Sequence, residues 1–236
     1  MDAFSRTAQL IGQNGLQRLR TARVAIFGLG GVGGTAAEAL ARAGVGALDL
    51  VDNDTVSISN LNRQTVALRS TVGKFKTEVM AARIADIEPS TRVREFRLFY
   101  LPETADQIPL SAYDFVVDAI DTVTAKLELI TRAKTANVPI VSCMGTGNRL
   151  DPTQLHITDL AQTSGCPLAR VMRRELRKRG IAHLTVVCSK EAAVVPQGEA
   201  ECKGTAGHPA PGSVSFVPPA AGLMVAGYVV RTLLGL

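Results

Sequence analysis

Tryptophan is absent from the 236 residues, and Phe and Tyr bring the aromatic share only to 4%. A chain so poor in rings has no row of aromatics on which single-stranded bases could stack. Its core must be built from Ala, Val, Ile and Leu. Cysteine is scarce as well. Cys143, Cys166, Cys188 and Cys202 form no Cys-x-x-Cys pair, and His156, His183 and His208 have no Cys or His neighbour at ligand spacing. Zinc is therefore not expected, and reduced thiols in a cytoplasmic protein are. The first residues show no basic stretch leading into an apolar run, so no secretory signal is read. Residues 214–230 carry no charge, but they include Pro218, Pro219, Gly222 and Gly227. They also fall short of the roughly twenty residues of a membrane span, and are read as buried in a soluble chain with no membrane partner.

What is present is ordinary for a globular protein: 46% hydrophobic and 20% charged residues, which excludes a disordered or fibrous chain. The net charge of +5 is local. Residues 170–179 hold Arg170, Arg173, Arg174, Arg177, Lys178 and Arg179 against Glu175 alone, and outside them the two signs balance. One basic patch on a neutral protein points to an anionic partner.

The first half alternates strand and helix signals. Residues 23–27 and 47–51 are short apolar runs, and residues 35–43 form an Ala-rich helix that Gly44 closes. Val79, Met80, Ile84 and Ile87 fall near helical spacing until Pro89, and residues 115–117 and 139–141 read as buried strands. This rhythm predicts a Rossmann-like, doubly wound α/β sheet, mainly parallel. The C-terminal third is expected to add antiparallel strands, from residues 154–158 and 184–188. Between them, Leu168, Met172 and Leu176 predict an amphipathic helix with its arginines outward. Residues 197–212, rich in Gly, Pro and polar side chains, read as a mobile surface loop. The expected organisation is one domain over 1–236, with a nucleotide-binding part at about 20–150 and a substrate part at about 151–236.

The chemistry begins at Gly28-Leu29-Gly30-Gly31-Val32-Gly33, between the first strand and the first helix of this alternation. Here G-x-G-x-x-G has the context it requires. The first glycine permits the turn, Gly30 lets the backbone approach a phosphate, and Gly33 lets helix and strand pack closely. Asp52 ends the second strand, where a carboxylate can accept hydrogen bonds from a ribose. No G-x-x-x-x-G-K-[ST] occurs, so ATP would not be held by a P-loop. The fingerprint alone suits NAD, and an NAD-binding oxidoreductase or redox sensor is one alternative. The following residues argue otherwise. Asn60, Arg63 and Lys76 are donors and cations suited to a triphosphate. Asp118 and Asp121 follow at a strand end, where a carboxylate facing a triphosphate is an expected Mg²⁺ ligand.

Together, Gly28-x-Gly30-Gly31-x-Gly33, Asp52-x-Asp54-x-Val56-x-x-Ser59-Asn60-Leu61-x-Arg63-Gln64, Val72-Gly73-x-x-Lys76 and Asp118-x-x-Asp121 resemble the ubiquitin-activating-like adenylating enzymes. That superfamily includes the molybdopterin and thiamine biosynthesis adenylyltransferases. Within it the chain is most similar to the tRNA threonylcarbamoyladenosine dehydratases. Phe4-Ser5-Arg6-Thr7, Asp151-Pro152-Thr153-Gln154-Leu155, Pro167-Leu168-Ala169 and residues 212–219 carry that likeness.

The resemblance implies ATP and Mg²⁺ as cofactors, no zinc, and ATP-dependent cyclisation of N6-threonylcarbamoyladenosine beside the tRNA anticodon. The substrate carboxylate would be adenylated with loss of pyrophosphate, and ring closure would expel AMP. Asp121 is then the Mg²⁺ ligand, and Arg63, Lys76 and Arg6 meet phosphate charge. Gly28, Gly30, Gly31, Gly33, Asp52, Asp54, Asn60 and Gln64 complete the ATP site. Arg170, Arg173, Arg174 and Arg177 would touch tRNA, a solvated face being the alternative. The resemblance further implies a homodimer in which Arg6 reaches the neighbouring site, a frayed terminus being the bland alternative. A sulfur-acceptor or cysteine desulfurase system is a further possible partner. Adenylation of a ubiquitin-like sulfur carrier remains the alternative reaction. Cys188 is weighed as an acceptor thiol against an inert buried cysteine, and the inert reading is preferred.

Overall fold

The computed structural model describes residues 3–197, 202–203 and 208–236. A seven-stranded sheet runs in the order β3-β2-β1-β4-β5-β7-β6, made of β1 (Arg23–Phe27), β2 (Ala47–Val51), β3 (Arg92–Phe96), β4 (Phe115–Asp118), β5 (Ile140–Cys143), β6 (Leu155–Asp159) and β7 (Thr185–Ser189). Six helices accompany it: α1 (Ser5–Thr21), α2 (Gly33–Ala43), α3 (Lys76–Ile87), α4 (Val123–Thr135), α5 (Pro167–Lys178) and α6 (Val217–Leu234). The order reverses direction at β1 and β4. That is the switch point of a doubly wound sheet, and ligands bind there beyond the carboxyl ends of the strands.

Within this sheet all pairings are parallel except β6 with β7. The expected antiparallel addition to this sheet is thus the edge strand β6. β7 joins β5 in the parallel set because β6 has already run back across the sheet, its last residue Asp159 lying opposite Thr185 at the start of β7.

Alternation along the strands divides the core in two. Val24 and Ile26 face a cluster with Ala36 and Leu40 of α2, Met80 and Ile84 of α3, and Val225 and Val229 of α6. Ala25 and Phe27 face Leu129, Ile130 and Ala133 of α4 with Met172 and Leu176 of α5. Helices on both faces explain why β1, β2 and β4 can be apolar without alternation. The helix ends follow local chemistry. Gly44 caps α2 with φ 92°, Pro167 opens α5, and Pro218 and Pro219 lie in the first turn of α6.

The uncharged stretch at 214–230 becomes most of α6. By length and composition this helix could cross a membrane, yet Val217, Ala221, Val225 and Val229 are fully buried against the sheet and α2. Within the expected loop, β8 (Cys202–Lys203) pairs antiparallel with β9 (His208–Pro209). Residues 198–201 and 204–207 of that loop lie outside the described residues.

Candidate active site

Gly28 leaves β1 with φ +87°, and its N–H donates to Val51 O at 2.8 Å. A Cβ at Gly28 would lie 2.6 Å from Ala119 O, and one at Gly33 would lie 1.8 Å from Gly28 O. Only glycine closes this turn and lets α2 begin directly behind it. Gly30 has nothing nearer to such an atom than Gln64 Nε2 at 3.9 Å, so the loop is open where a phosphate would approach. Gly31 lies between Pro218 and the Arg63 backbone.

Asp52 is buried at the end of β2. Its Oδ2 accepts from the Leu29 N–H at 2.6 Å and its Oδ1 from the Asp54 N–H at 2.8 Å. Burial raises its pKa, opposed by the charge of Lys76 and by these two N–H groups. The carboxylate thus orders the glycine loop.

Lys76, the first residue of α3, is held beside this turn because its N–H donates to Asp54 O at 3.0 Å. Its ammonium reaches Asp54 Oδ2 at 2.7 Å, with side-chain exposures of 6% and 54%. A buried cation tethered to an exposed carboxylate can exchange that partner for a phosphate with little movement. Asn60 accepts the Ser57 N–H on its Oδ1, which leaves its NH₂ as the donating end. Arg63 lies at the rim and donates to Ser59 O and Asn62 Oδ1, both at 2.8 Å. Gln64 is buried, and its Oε1 has no partner.

The two aspartates after β4 have different tasks. Asp118 is wholly buried, and its Oδ2 takes Lys126 Nζ at 2.9 Å and Ser142 Oγ at 2.5 Å. Lys126 also donates to Ile120 O at 3.1 Å and Cys143 O at 2.9 Å, so it fastens the ends of β4 and β5 together. Asp121 emerges on this braced turn, exposed at the sheet edge. Lys126 escaped the sequence reading. The only available signal was its position between the apolar residues Val123, Leu127 and Ile130.

A glycine loop, a buried carboxylate, a buried lysine and a second carboxylate at one edge of a doubly wound sheet describe a nucleotide site without a P-loop. A model of the ThiF family matches residues 4–236. The chain belongs to the ThiF family. Among curated relatives, the tRNA threonylcarbamoyladenosine dehydratase of Bacillus subtilis is 44% identical over 98% of this chain and 94% of its own length. The Escherichia coli protein of the same name is 42% identical over 83% and 76%. The solved structure of E. coli TcdA in complex with ATP superimposes with a TM-score of 0.89 at 36% identity, covering 99% of this chain and 94% of that one.

The ThiF match runs from residue 4 to residue 236. Arg6 lies exposed in the first turn of α1, with Phe4 buried just before it. Arg170, Arg173, Arg174, Arg177 and Lys178 line a shallow depression along α5. They are not equivalent. Arg173 is half-buried and donates to Thr163 O at 2.8 Å, while Glu175 gathers Arg174, Lys178 and Arg179. Arg170 and Arg177 are the exposed cations with the least internal demand.

Burial pushes the Cys143 thiol up to about 12 and Cys188 to about 11. Cys188 Sγ lies 3.6 Å from His156 Nε2. Such thiols hold their protons at neutral pH, which favours the inert reading. The Cys202 side chain lies outside what is described.

Arg149, on the loop after β5, also escaped the sequence reading. It is 3% exposed, and its Nε and Nη1 have no partner.

Proposed function

We propose that this chain uses ATP to dehydrate N6-threonylcarbamoyladenosine in tRNA, next to the anticodon, through a carboxyl adenylate. The carrying observation is Lys76. It is a cation buried beside Asp52 and Asp54, at the sheet edge where the glycine loop opens. Such a charge meets the phosphates of a triphosphate and the negative charge that builds up when it is attacked. The names and bound nucleotides of the TcdA relatives support the same reading.

In this reading Asp52 accepts from the ribose, the glycine loop and Asn60 position phosphates, and Arg63 and Lys76 meet their charge. Mg²⁺ is held by one or two carboxylates together with substrate phosphates. The residues fit that need. Asp121 stands exposed at the rim of the sheet edge, on the turn after β4, where its carboxylate would meet an ion carried by the nucleotide phosphates. Among the described residues no group of three or more His, Cys, Asp or Glu could hold a metal ion. When bound, Mg²⁺ supplies charge neutralisation for the leaving pyrophosphate.

The substrate carboxylate is already a nucleophile at neutral pH, so the chain needs no base to generate it. One carboxylate oxygen bonds to the α-phosphorus as the bond to pyrophosphate breaks. A heteroatom of the carbamoyl group then bonds to the activated carbonyl carbon, the acyl–oxygen bond to AMP breaks, and the carbamoyl N–H proton is lost to solvent. The residues orient the reactants and hold charge.

The arginines of α5 would meet tRNA phosphates. A homodimer would place Arg6 at the neighbouring nucleotide, and the exposed Leu10 and Leu223 on α1 and α6 offer apolar surface for it. The substrate sets the cytoplasm as the working compartment.

The test is AMP release from ATP with unmodified tRNA, threonylcarbamoylated tRNA or a ubiquitin-like carrier. Release only with the modified tRNA is the expected outcome. Dependence on the carrier would establish the sulfur-transfer reading instead.

A further inference from the structure

Arg149 lies on the loop that leaves the carboxyl end of β5. Its side chain is buried, yet Nε and Nη1 find no acceptor. A buried donor left unmade costs more than a made bond gains, and a charged one costs most. The neighbouring acids are committed elsewhere. Glu191 receives the Leu150 and Asp151 N–H groups at 3.0 Å each, and Asp151 Oδ1 receives Thr153.

The surroundings say where the missing partner comes from. On one flank, Lys126 ties Cys143 O to Ile120 O, which sets the start of this loop beside the turn that carries Asp121. On the other flank, Asn148 N–H donates to Gly212 O and Gly212 N–H to Asn148 Oδ1, both at 2.7 Å. The next residue, Ser213, accepts from Asn62 Nδ2 at 2.9 Å, directly before Arg63. The loop therefore spans the sheet edge between the two sides of the nucleotide site, where a second substrate must enter.

We propose that Arg149 is the receptor for an oxyanion of the molecule that this site activates. A guanidinium matches a carboxylate or a phosphate equally well, with hydrogen bonds in its plane. Resting on the function proposed above, the oxyanion is either the threonylcarbamoyl carboxylate or a phosphate of the anticodon strand. Binding it completes Arg149 and seats the reacting group over the glycine loop.

The test compares the whole protein with Arg149→Met and Arg149→Lys. Two probes are titrated directly with ATP present: the free nucleoside N6-threonylcarbamoyladenosine, which has a carboxylate and no phosphate, and an unmodified anticodon stem-loop, which has phosphates and no such carboxylate. Arg149→Met should weaken one probe by about 10–100-fold, with Arg149→Lys intermediate and ATP affinity unchanged. Weakened nucleoside binding identifies the carboxylate, and weakened stem-loop binding identifies the phosphate.

The unliganded Arg149→Met protein should melt no lower than wild type, since it loses an unpaired buried charge. Equal affinities for both probes, or a large fall in melting temperature without ligand, would overturn the proposal. If wild type releases no AMP with modified tRNA, the proposed reaction fails. The two titrations still decide Arg149.

Discussion

Lys126 Nζ and Asp118 Oδ2 meet at 2.9 Å with both side chains at 0% exposure, and the lysine's other donors end on the carbonyls of Ile120 and Cys143. This ion pair locks two adjacent strand ends and leaves no spare donor on the ammonium. Lys126→Met would strand the Asp118 charge, at a cost of about 3–5 kcal/mol and a melting point lower by roughly 6–20 °C. Adding Asp118→Leu should restore part of that loss. Equal melting points for wild type and Lys126→Met would show that the pair contributes nothing.

Asp121→Ala should lower tRNA-dependent AMP release by about 10²–10³ while ATP binding stays measurable. Single-turnover rates with saturating ATP check this. A near-normal rate would remove Asp121 from the metal.

Arg170→Glu combined with Arg177→Glu should raise KM for tRNA and flatten its salt dependence, leaving KM for ATP alone. Each lost phosphate contact reduces the slope of log K against log salt by about 0.7–0.9. These two positions are better probes than Arg173, whose guanidinium supports the Thr163 carbonyl. An unchanged slope would make α5 a solvated face.

Much of this arrangement was legible in the sequence. The glycine loop, Asp52 and the outward arginines follow from local rules: a turn that needs positive φ, a strand that ends in an acid, and an apolar stripe at helical spacing. β3 was missed because Arg92, Arg94 and Glu95 give an edge strand a polar pattern. α1 was missed because it is largely polar and kinks at Gly12. The committed state of Asp118 and the isolation of Arg149 were not legible at all. Both depend on which charges the tertiary fold buries together, and a charged letter in a sequence reads as surface.

Stability should fall in alkali. An unfolded thiol ionises near pH 9, while Cys143 keeps its proton to about 12. The native state then holds more protons than the unfolded one. The stabilisation is whole below pH 9 and declines by about 1.4 kcal/mol per pH unit above it. Cys188 adds to the decline in the same sense. Denaturant midpoints at pH 8–10 should show a shallower slope for Cys143→Ala. Parallel slopes would refute the assignment. Cys188→Ser should leave AMP release largely intact, since ring closure uses a nucleophile on the substrate.

Arg6→Ala and Asp121→Ala homodimers should both be inactive, and co-expression should rescue activity. With Arg6 acting across the dimer, each mixed dimer holds one intact site, so random pairing restores about a quarter of all sites. No rescue in isolated mixed dimers would place Arg6 in its own subunit's site or in none.

The last helix stands directly behind the first loop of the nucleotide site. A Cβ on Gly222 would lie 2.4 Å from Val32 O, and Pro218 backs Gly31. α6 is also the latest of these elements to leave the ribosome, after all seven strands have been made. A nascent chain can thus assemble its sheet while the glycine turn still lacks its backing. Nucleotide cannot then act as an early template for folding. It becomes an inspector of molecules in which α6 has docked: chains stalled or clipped before residue 217 should fail to retain ATP even where the sheet has formed.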